Sequence, residues 1–186
     1  MVNSYTLQLW YNVLMKLHIE KTKLDQVLVI YPPTSFEDFR GTYTETYNIE
    51  IYSQAGIEQK FIQDNFSHSN KNVLRGVHGD SKTWKLVSCV SGSVYLLVVN
   101  NDKKSDQYKQ WESFTLSSHN YRQILIPPNF GNGHLVLSES AIFHYKQTTN
   151  YDRNSQFTIT WDDPKYDFWW PDIKPITSKR DAGLQI

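Results

Sequence analysis

The sequence predicts an all-β fold that closes into a barrel or a double-sheet jelly roll, with helix confined to short pieces, and three observations carry that expectation. Aromatic residues make up 15% of the 186-residue chain and, with the β-branched residues, dominate its apolar positions. The apolar runs are short and bounded by Gly, Pro, Asn, Asp or Ser at intervals suited to hairpins. There are at least nine of them, and sheets of that size escape exposed edges by closing on themselves.

Taken in order, the runs at 28–31 and 61–66 open the strand series, with Gln63 and Asn65 on alternate positions of the second. A short helical piece is expected at 51–55. The runs at 84–90 and 94–100 are separated by Ser-Gly-Ser, and further strands are expected at 111–116 and 122–126. The segment IPPNFGNGHLVLS (126–138) reads as a Pro/Gly turn entering a strand at 134–137. Strands at 141–148 and 157–161 follow, and a helical turn is expected at 178–182. The last twenty residues are rich in Pro and Trp, too aromatic for a disordered tail.

Composition bounds the function. Nineteen basic and nineteen acidic side chains cancel, so no overall field draws the protein to nucleic acid or an anionic membrane. Any phosphate must be gripped locally. The lone cysteine, Cys89, lies in an apolar run and cannot form an intrachain disulfide, which fits a small buried hydrophobe in a reducing, cytoplasmic setting. No run is long and apolar enough to span a bilayer, and residues 1–14 lack signal-peptide character. Those residues form an N-terminal extension, either an appended turn of structure or the product of an upstream start codon. The text from Met15 reads like the start of a single domain covering 15–186.

Chemistry concentrates in a few segments. LRGVHGD (74–80) sets Arg75 and His78 three residues apart, and Lys85 follows on the next strand. FHYKQTTNY (143–151) carries Tyr145 and Tyr151, and TSKRDAG (177–183) carries Asp181. Each has an ordinary structural explanation taken alone: a satisfied histidine, a surface lysine, a packed tyrosine.

Together with DFRGTYTE (38–45), FIQDNFSHS (61–69), WDDP (161–164) and FWWP (168–171), these segments stand in one order from about Met15 to the C-terminus. In that order they resemble the dTDP-4-dehydrorhamnose 3,5-epimerase family of cupin-type sugar-nucleotide epimerases. The wording HGDSKTWKL and PPNFGNGH is similar to a branch acting on GDP-linked 4-keto-6-deoxy-heptoses. The resemblance implies a cupin jelly roll that needs neither metal nor organic cofactor. It implies inversion of carbon 3, carbon 5 or both in an NDP-4-keto-6-deoxy sugar, dTDP- or GDP-linked, on the way to surface polysaccharide.

It also implies roles. A 4-keto group acidifies the neighbouring C–H bonds, but a carbanion forms only where a base removes the proton while a donor stabilises the enolate oxygen. His78 matches the base and Asp181 its carboxylate partner. Lys85 matches the cation at the enolate oxygen, where preorganised charge removes about 3 to 4 kcal/mol from a barrier. Tyr145 matches the acid on the opposite face, and Tyr151 a second lining aromatic. Arg40 and Arg75 match diphosphate contacts. Gln63 and Asn65 would bond sugar or phosphate, Tyr43 and Glu45 would meet the nucleotide, and Trp170 would flank the pocket. In this family the DFRG segment reaches into a neighbouring subunit's site, which implies a homodimer.

The chain departs from the family text where Asn132 stands for a histidine and His134 for an apolar aromatic, so both are candidate substrate contacts that alter placement of the sugar. Three rivals remain in view. A metal-dependent cupin needs an HxH pair with a carboxylate, and His78 is followed by Gly79 and Asp80. A 3,4-ketoisomerase shares the barrel but uses a histidine pair in the first motif. A non-catalytic carbohydrate-binding jelly roll leaves Lys85, Tyr145 and Asp181 unexplained.

Overall fold

The protein is described by a computed structural model covering residues 17–32 and 34–184. The expected extension at 1–14, and Met15 itself, lie outside the described residues. Among the described residues thirteen strands run in the order β1 (His18–Lys21), β2 (Leu28–Tyr31), β3 (Thr34–Asp38), β4 (Gly41–Glu45), β5 (Gln63–Asn70), β6 (Leu74–Gly79), β7 (Lys85–Ser91), β8 (Ser93–Asn100), β9 (Trp111–Ser117), β10 (Gln123–Ile126), β11 (Phe130–Val136), β12 (Ser140–Gln147) and β13 (Phe157–Thr158). Among the described residues one α-helix, α1 (Ile49–Gln54), starts where the Asn48 side chain accepts from the amides of Glu50 and Ile51.

A six-stranded sheet in the order β1-β2-β10-β7-β12-β5 faces a five-stranded sheet in the order β13-β6-β11-β8-β9, and β3-β4 stands apart as a hairpin. The paired strands are antiparallel. This is the cupin jelly roll.

Strand periodicity sorts side chains into three layers. On β8, Val94, Leu96 and Val98 enter the inter-sheet core with Val87, Cys89, Ile124 and Phe143. Tyr95, Leu97 and Val99 point the other way, into a cluster covered by Trp161, Tyr166, Phe168 and Trp170. Both faces of this strand are therefore dry, which is why SVYLLVVN reads as an unbroken apolar run rather than an alternating one. The Pro/Trp-rich tail is the lid of that outer cluster: Tyr95 donates to the carbonyl of Trp169 at 2.7 Å and Trp170 Nε1 to the carbonyl of Trp161 at 2.8 Å. On the opposite side Tyr52 of α1 covers Ile30, Leu86 and Leu125.

Several boundaries differ from the sequence reading. The turn expected before a strand at 134–137 is strand already, because β11 begins at Phe130 and carries Gly131, Asn132 and Gly133 in its ladder. The strand expected at 157–161 shortens to Phe157–Thr158, although Ile159 still exchanges backbone hydrogen bonds with Val77. β6 escaped notice because glycine lowers strand propensity. Its glycines are there for close approach: a Cβ on Gly76, whose φ is +119°, would meet Gly133 Cα at 2.5 Å, and one on Gly79 would collide with the Phe130 carbonyl oxygen. That contact presses β6 on β11 and brings His78 into register with Asn132.

Candidate active site

Between the two sheets, at one end of the barrel, lies a cavity of about 570 Å³. The register of the six-stranded sheet grades its wall. Lys85, Gln147 and Gln63 form one cross-strand row, Val87, Tyr145 and Asn65 the next, and Cys89, Phe143 and Ser67 the third. Each step moves two residues along each strand, so all nine face the same way. The first row is polar, and the third joins the core through Cys89 and Phe143.

His78 and Asn132 stand opposite on the five-stranded sheet. His78 Nε2 lies 2.8 Å from Asp181 Oδ1, an ion-pair distance at which both atoms are shut off from solvent and have no other partner among the described residues. Asp181 reaches it from the turn closed by the Ala182 amide on the Ser178 carbonyl, where the Asp181 amide also donates to Ser178 Oγ at 3.1 Å. Burial disfavours the Asp181 carboxylate, but the His78 ring, the Ser178 hydroxyl and the Arg180 charge outweigh it and hold the carboxyl below its usual range.

Lys85 is buried and donates to Asn132 Oδ1 at 3.0 Å, with a longer contact of 3.4 Å to the His78 carbonyl oxygen. Burial pulls its ammonium down to about 8, aided by the charge of Arg180 and opposed by Asp80. It is no surface strand lysine. Burial raises the Tyr145 hydroxyl above its ordinary value, as does Tyr151, while Arg75 opposes the shift. His134 is buried and stacked on Phe143 with ring centroids 4.1 Å apart. Burial and the nearby Arg75 lower it to about 3, against a weaker pull from Asp181, so the ring is neutral at any working pH and does not compete as a base.

The cavity thus brings together His78, Lys85, Tyr145 and Asp181, and with them Gln63, Asn65, Arg75, Asn132, His134 and Tyr151. Gln63 Nε2 donates to Asn65 Oδ1 at 2.9 Å, and its oxygen accepts from the Tyr151 amide at 2.7 Å. Arg75 Nε donates to Ser69 Oγ at 3.0 Å. Tyr151 reaches the cavity from a loop, because β12 ends at Gln147.

Four expected contacts lie elsewhere. Trp170 is not among the lining residues and packs in the outer cluster instead, its indole nitrogen bonded to Trp161. Arg40, Tyr43 and Glu45 sit on the β3-β4 hairpin, away from this chain's own cavity. Arg40 is paired with Asp38 at 2.6 Å, and Phe36, Phe39 and Tyr43 on the same hairpin are exposed.

The cavity also recruits residues that sequence reasoning passed over. Ser67 is one further step along the β5 alternation from Asn65, a signal that was available; its Oγ and the Asn65 Nδ2 are buried with no partner among the described residues. Arg153 and Gln156 come from the 3-10 turn Arg153–Ser155 and the residue after it, where no periodic signal exists, and Lys179 and Arg180 from the TSKRDAG segment, which was read for Asp181 alone. Among the described residues no three His, Cys, Asp or Glu side chains converge as a metal-ligand set, and no helix is long and apolar enough to cross a membrane.

Comparison with known proteins places these features in a family. The family model described as dTDP-4-dehydrorhamnose 3,5-epimerase matches residues 21–186. The chain is 40% identical over 171 residues to dTDP-4-dehydrorhamnose 3,5-epimerase of Salmonella typhimurium, covering 89% of this chain and 93% of that one. It is 39% identical over 153 residues to the enzyme of that name from Methanothermobacter thermautotrophicus, covering 81% and 82% respectively. Among solved structures, a dTDP-6-deoxy-D-glucose-3,5-epimerase of Legionella pneumophila in complex with dTDP-4-keto-L-rhamnose superposes with a TM-score of 0.85 at 37% identity, over 90% of this chain and 91% of that one.

Proposed function

The chain belongs to the dTDP-4-dehydrorhamnose 3,5-epimerase family and is an isomerase, and we propose that it inverts carbon 3, carbon 5 or both of a dTDP-linked 4-keto-6-deoxy sugar through an enolate. The observation that carries this reading is the convergence of the His78–Asp181 pair, Lys85 and Tyr145 on one cavity.

With Nε2 turned to Asp181, His78 Nδ1 is left to take a proton from the carbon beside the ketone. The ionised Asp181 fixes the ring and supports the imidazolium that forms. As the C–H bond breaks, negative charge gathers on the 4-keto oxygen, and the Lys85 ammonium stabilises it. Asn132 holds that ammonium in place by accepting one of its hydrogens. Tyr145, its hydroxyl kept protonated by burial, donates to the carbon from the opposite face. Return from that face inverts the centre; return from His78 restores it.

The dTDP linkage is preferred because the relatives with high identity carry that nucleotide in their names. We further propose a homodimer in which the β3-β4 hairpin, with exposed Phe36, Phe39 and Tyr43, delivers Arg40 to the neighbouring cavity. The product would serve surface polysaccharide assembly from the cytosol.

The test is proton NMR of the purified enzyme with dTDP-linked gluco-type and GDP-linked manno-type 4-keto-6-deoxy substrates in turn, with the mass in solution measured by light scattering. An epimerised dTDP-linked product is expected. Turnover of the GDP-linked sugar alone would overturn the nucleotide assignment, a migrated keto group would favour the 3,4-ketoisomerase, and a monomeric mass would overturn the shared site.

A further inference from the structure

We propose that Arg180 is a positioning residue: its guanidinium straps the turn that carries Asp181 to β13, the strand laddered to His78, and so holds the carboxylate on the base. The inference rests on the epimerase reading above, in which His78 is the base, and gives a task to a cavity residue left idle by that mechanism.

The segment 177–184 bears Asp181, and most of its hydrogen bonds are internal. The amide of Ala182 donates to the Ser178 carbonyl at 3.0 Å, that of Gly183 to the Arg180 carbonyl at 3.0 Å and that of Leu184 to the Lys179 carbonyl at 2.9 Å. Such bonds shape the turn but do not place it. Among the described residues, the hydrogen bonds and ion pairs that tie this segment to the rest of the chain are the Asp181–His78 contact at 2.8 Å and two donated by Arg180. Arg180 Nε donates to Thr158 Oγ1 at 3.0 Å and Nη2 to Gln156 Oε1 at 3.3 Å.

Gln156 and Thr158 stand two residues apart, so their side chains leave the same face of extended chain, where the planar fork of one guanidinium spans both. Thr158 pairs with His78 in the β13-β6 ladder, and Ile159 exchanges backbone bonds with Val77 beside it. The links close a circuit. His78 joins Thr158 through the ladder, Thr158 joins Arg180 through its hydroxyl, Arg180 joins Asp181 through the peptide bond, and Asp181 returns to His78. A lysine at 180 supplies the charge without the fork. That charge also acts on the site, because Arg180 lines the cavity with Lys85 and Asp181. Burial is the main cause of the lowered Lys85 ammonium; Asp80 opposes it and Arg180 adds to it. Burial raises the Asp181 carboxyl, and Arg180 stands behind His78 and Ser178 among the groups that hold it down. The fork thus places Asp181, while the charge tunes Lys85.

The experiment compares Arg180→Gln, Arg180→Lys and Thr158→Val with the wild type by the pH dependence of kcat and KM for a dTDP-linked 4-keto-6-deoxy sugar, beside circular dichroism. Thr158 is exposed, so its variant should fold and removes the strap from the other side. We expect kcat to fall by about tenfold to a hundredfold in all three, because a small misplacement of a catalytic group costs that much, with KM nearly unchanged. The alkaline limb set by Lys85 should move to higher pH in Arg180→Gln, which removes a like charge, and stay in place in Arg180→Lys and Thr158→Val, which keep it. A purely structural role would move no limb. Wild-type kcat in Arg180→Lys and Thr158→Val would overturn the strap while leaving the epimerase reading intact. A raised KM at unchanged kcat would overturn it too and make Arg180 a substrate contact. Failure of the wild type itself to epimerise the sugar would overturn the reading on which the proposal rests.

Discussion

Replacing Asp80 with Asn should move the alkaline limb of the epimerisation rate to lower pH. The Lys85 ammonium is held at about 8 instead of the ordinary 10.5, a difference worth about 3 kcal/mol in favour of the neutral amine. If the charged form stabilises the enolate, the rate falls as pH rises through about 8. Asp80 is the group that opposes the depression, so removing its charge lowers Lys85 further. The substitution is mild in structure, because Asp80 Oδ1 accepts from the amides of Lys82 and Thr83 at 2.9 and 2.8 Å and an amide oxygen can do the same. Linkage separates this loss from unfolding. A lowered folded-state pKa means that between about 8 and 10.5 the unfolded chain binds more protons at Lys85 than the folded one, so that group's contribution to stability rises with pH while activity falls. The assay is the pH dependence of kcat beside thermal melts at each pH. A limb that stays in place in the Asp80→Asn variant, or a rate that does not fall between pH 7 and 9 in the wild type, would refute the assignment of Lys85.

Three further outcomes follow from the same geometry. Asp181→Asn removes the charge that supports the imidazolium of His78 and should lower kcat by about 10²- to 10⁴-fold with little change in fold, read by initial rates and circular dichroism. Tyr145→Phe keeps the base and the enolate cation, so solvent deuterium should still enter the substrate while the inverted product forms at least roughly tenfold more slowly, as NMR time courses will report. Gly79→Ala drives a Cβ into the Phe130 carbonyl oxygen and should cost at least about 2 kcal/mol of stability in a denaturant titration.

How much of this was legible in the sequence depended on how far each element's environment is written in its own residues. β8 announces itself because both its faces are dry, and β7 and β12 nearly so. β1, β3 and β4 are short, polar and mostly exposed, so HIEK or GTYTE offers no apolar pattern to read. β6 hid behind two glycines that exist to let β11 approach, a tertiary demand no local propensity records. The roles of His78, Lys85, Tyr145 and Asp181 came from resemblance, since spacing alone cannot show that strands 85–91 and 140–147 are neighbours. Trp170 illustrates the converse. A tryptophan beside proline is more often hydrophobic cover than pocket wall, the resemblance pointed to the wall, and packing against Tyr95 makes it cover. Arg153 was invisible for a different reason: a short turn carries no period, and its place on the cavity wall is set by how the chain returns.

Proton exchange at carbon is the step that His78 must perform. Purified wild type and the His78→Ala variant, incubated in deuterated water with a dTDP-linked 4-keto-6-deoxy sugar and followed by proton NMR, should differ completely: deuterium at carbon 3, carbon 5 or both in the wild type, and none above background in the variant. Exchange at the wild-type rate without the His78 imidazole would contradict the enolate mechanism built on this site.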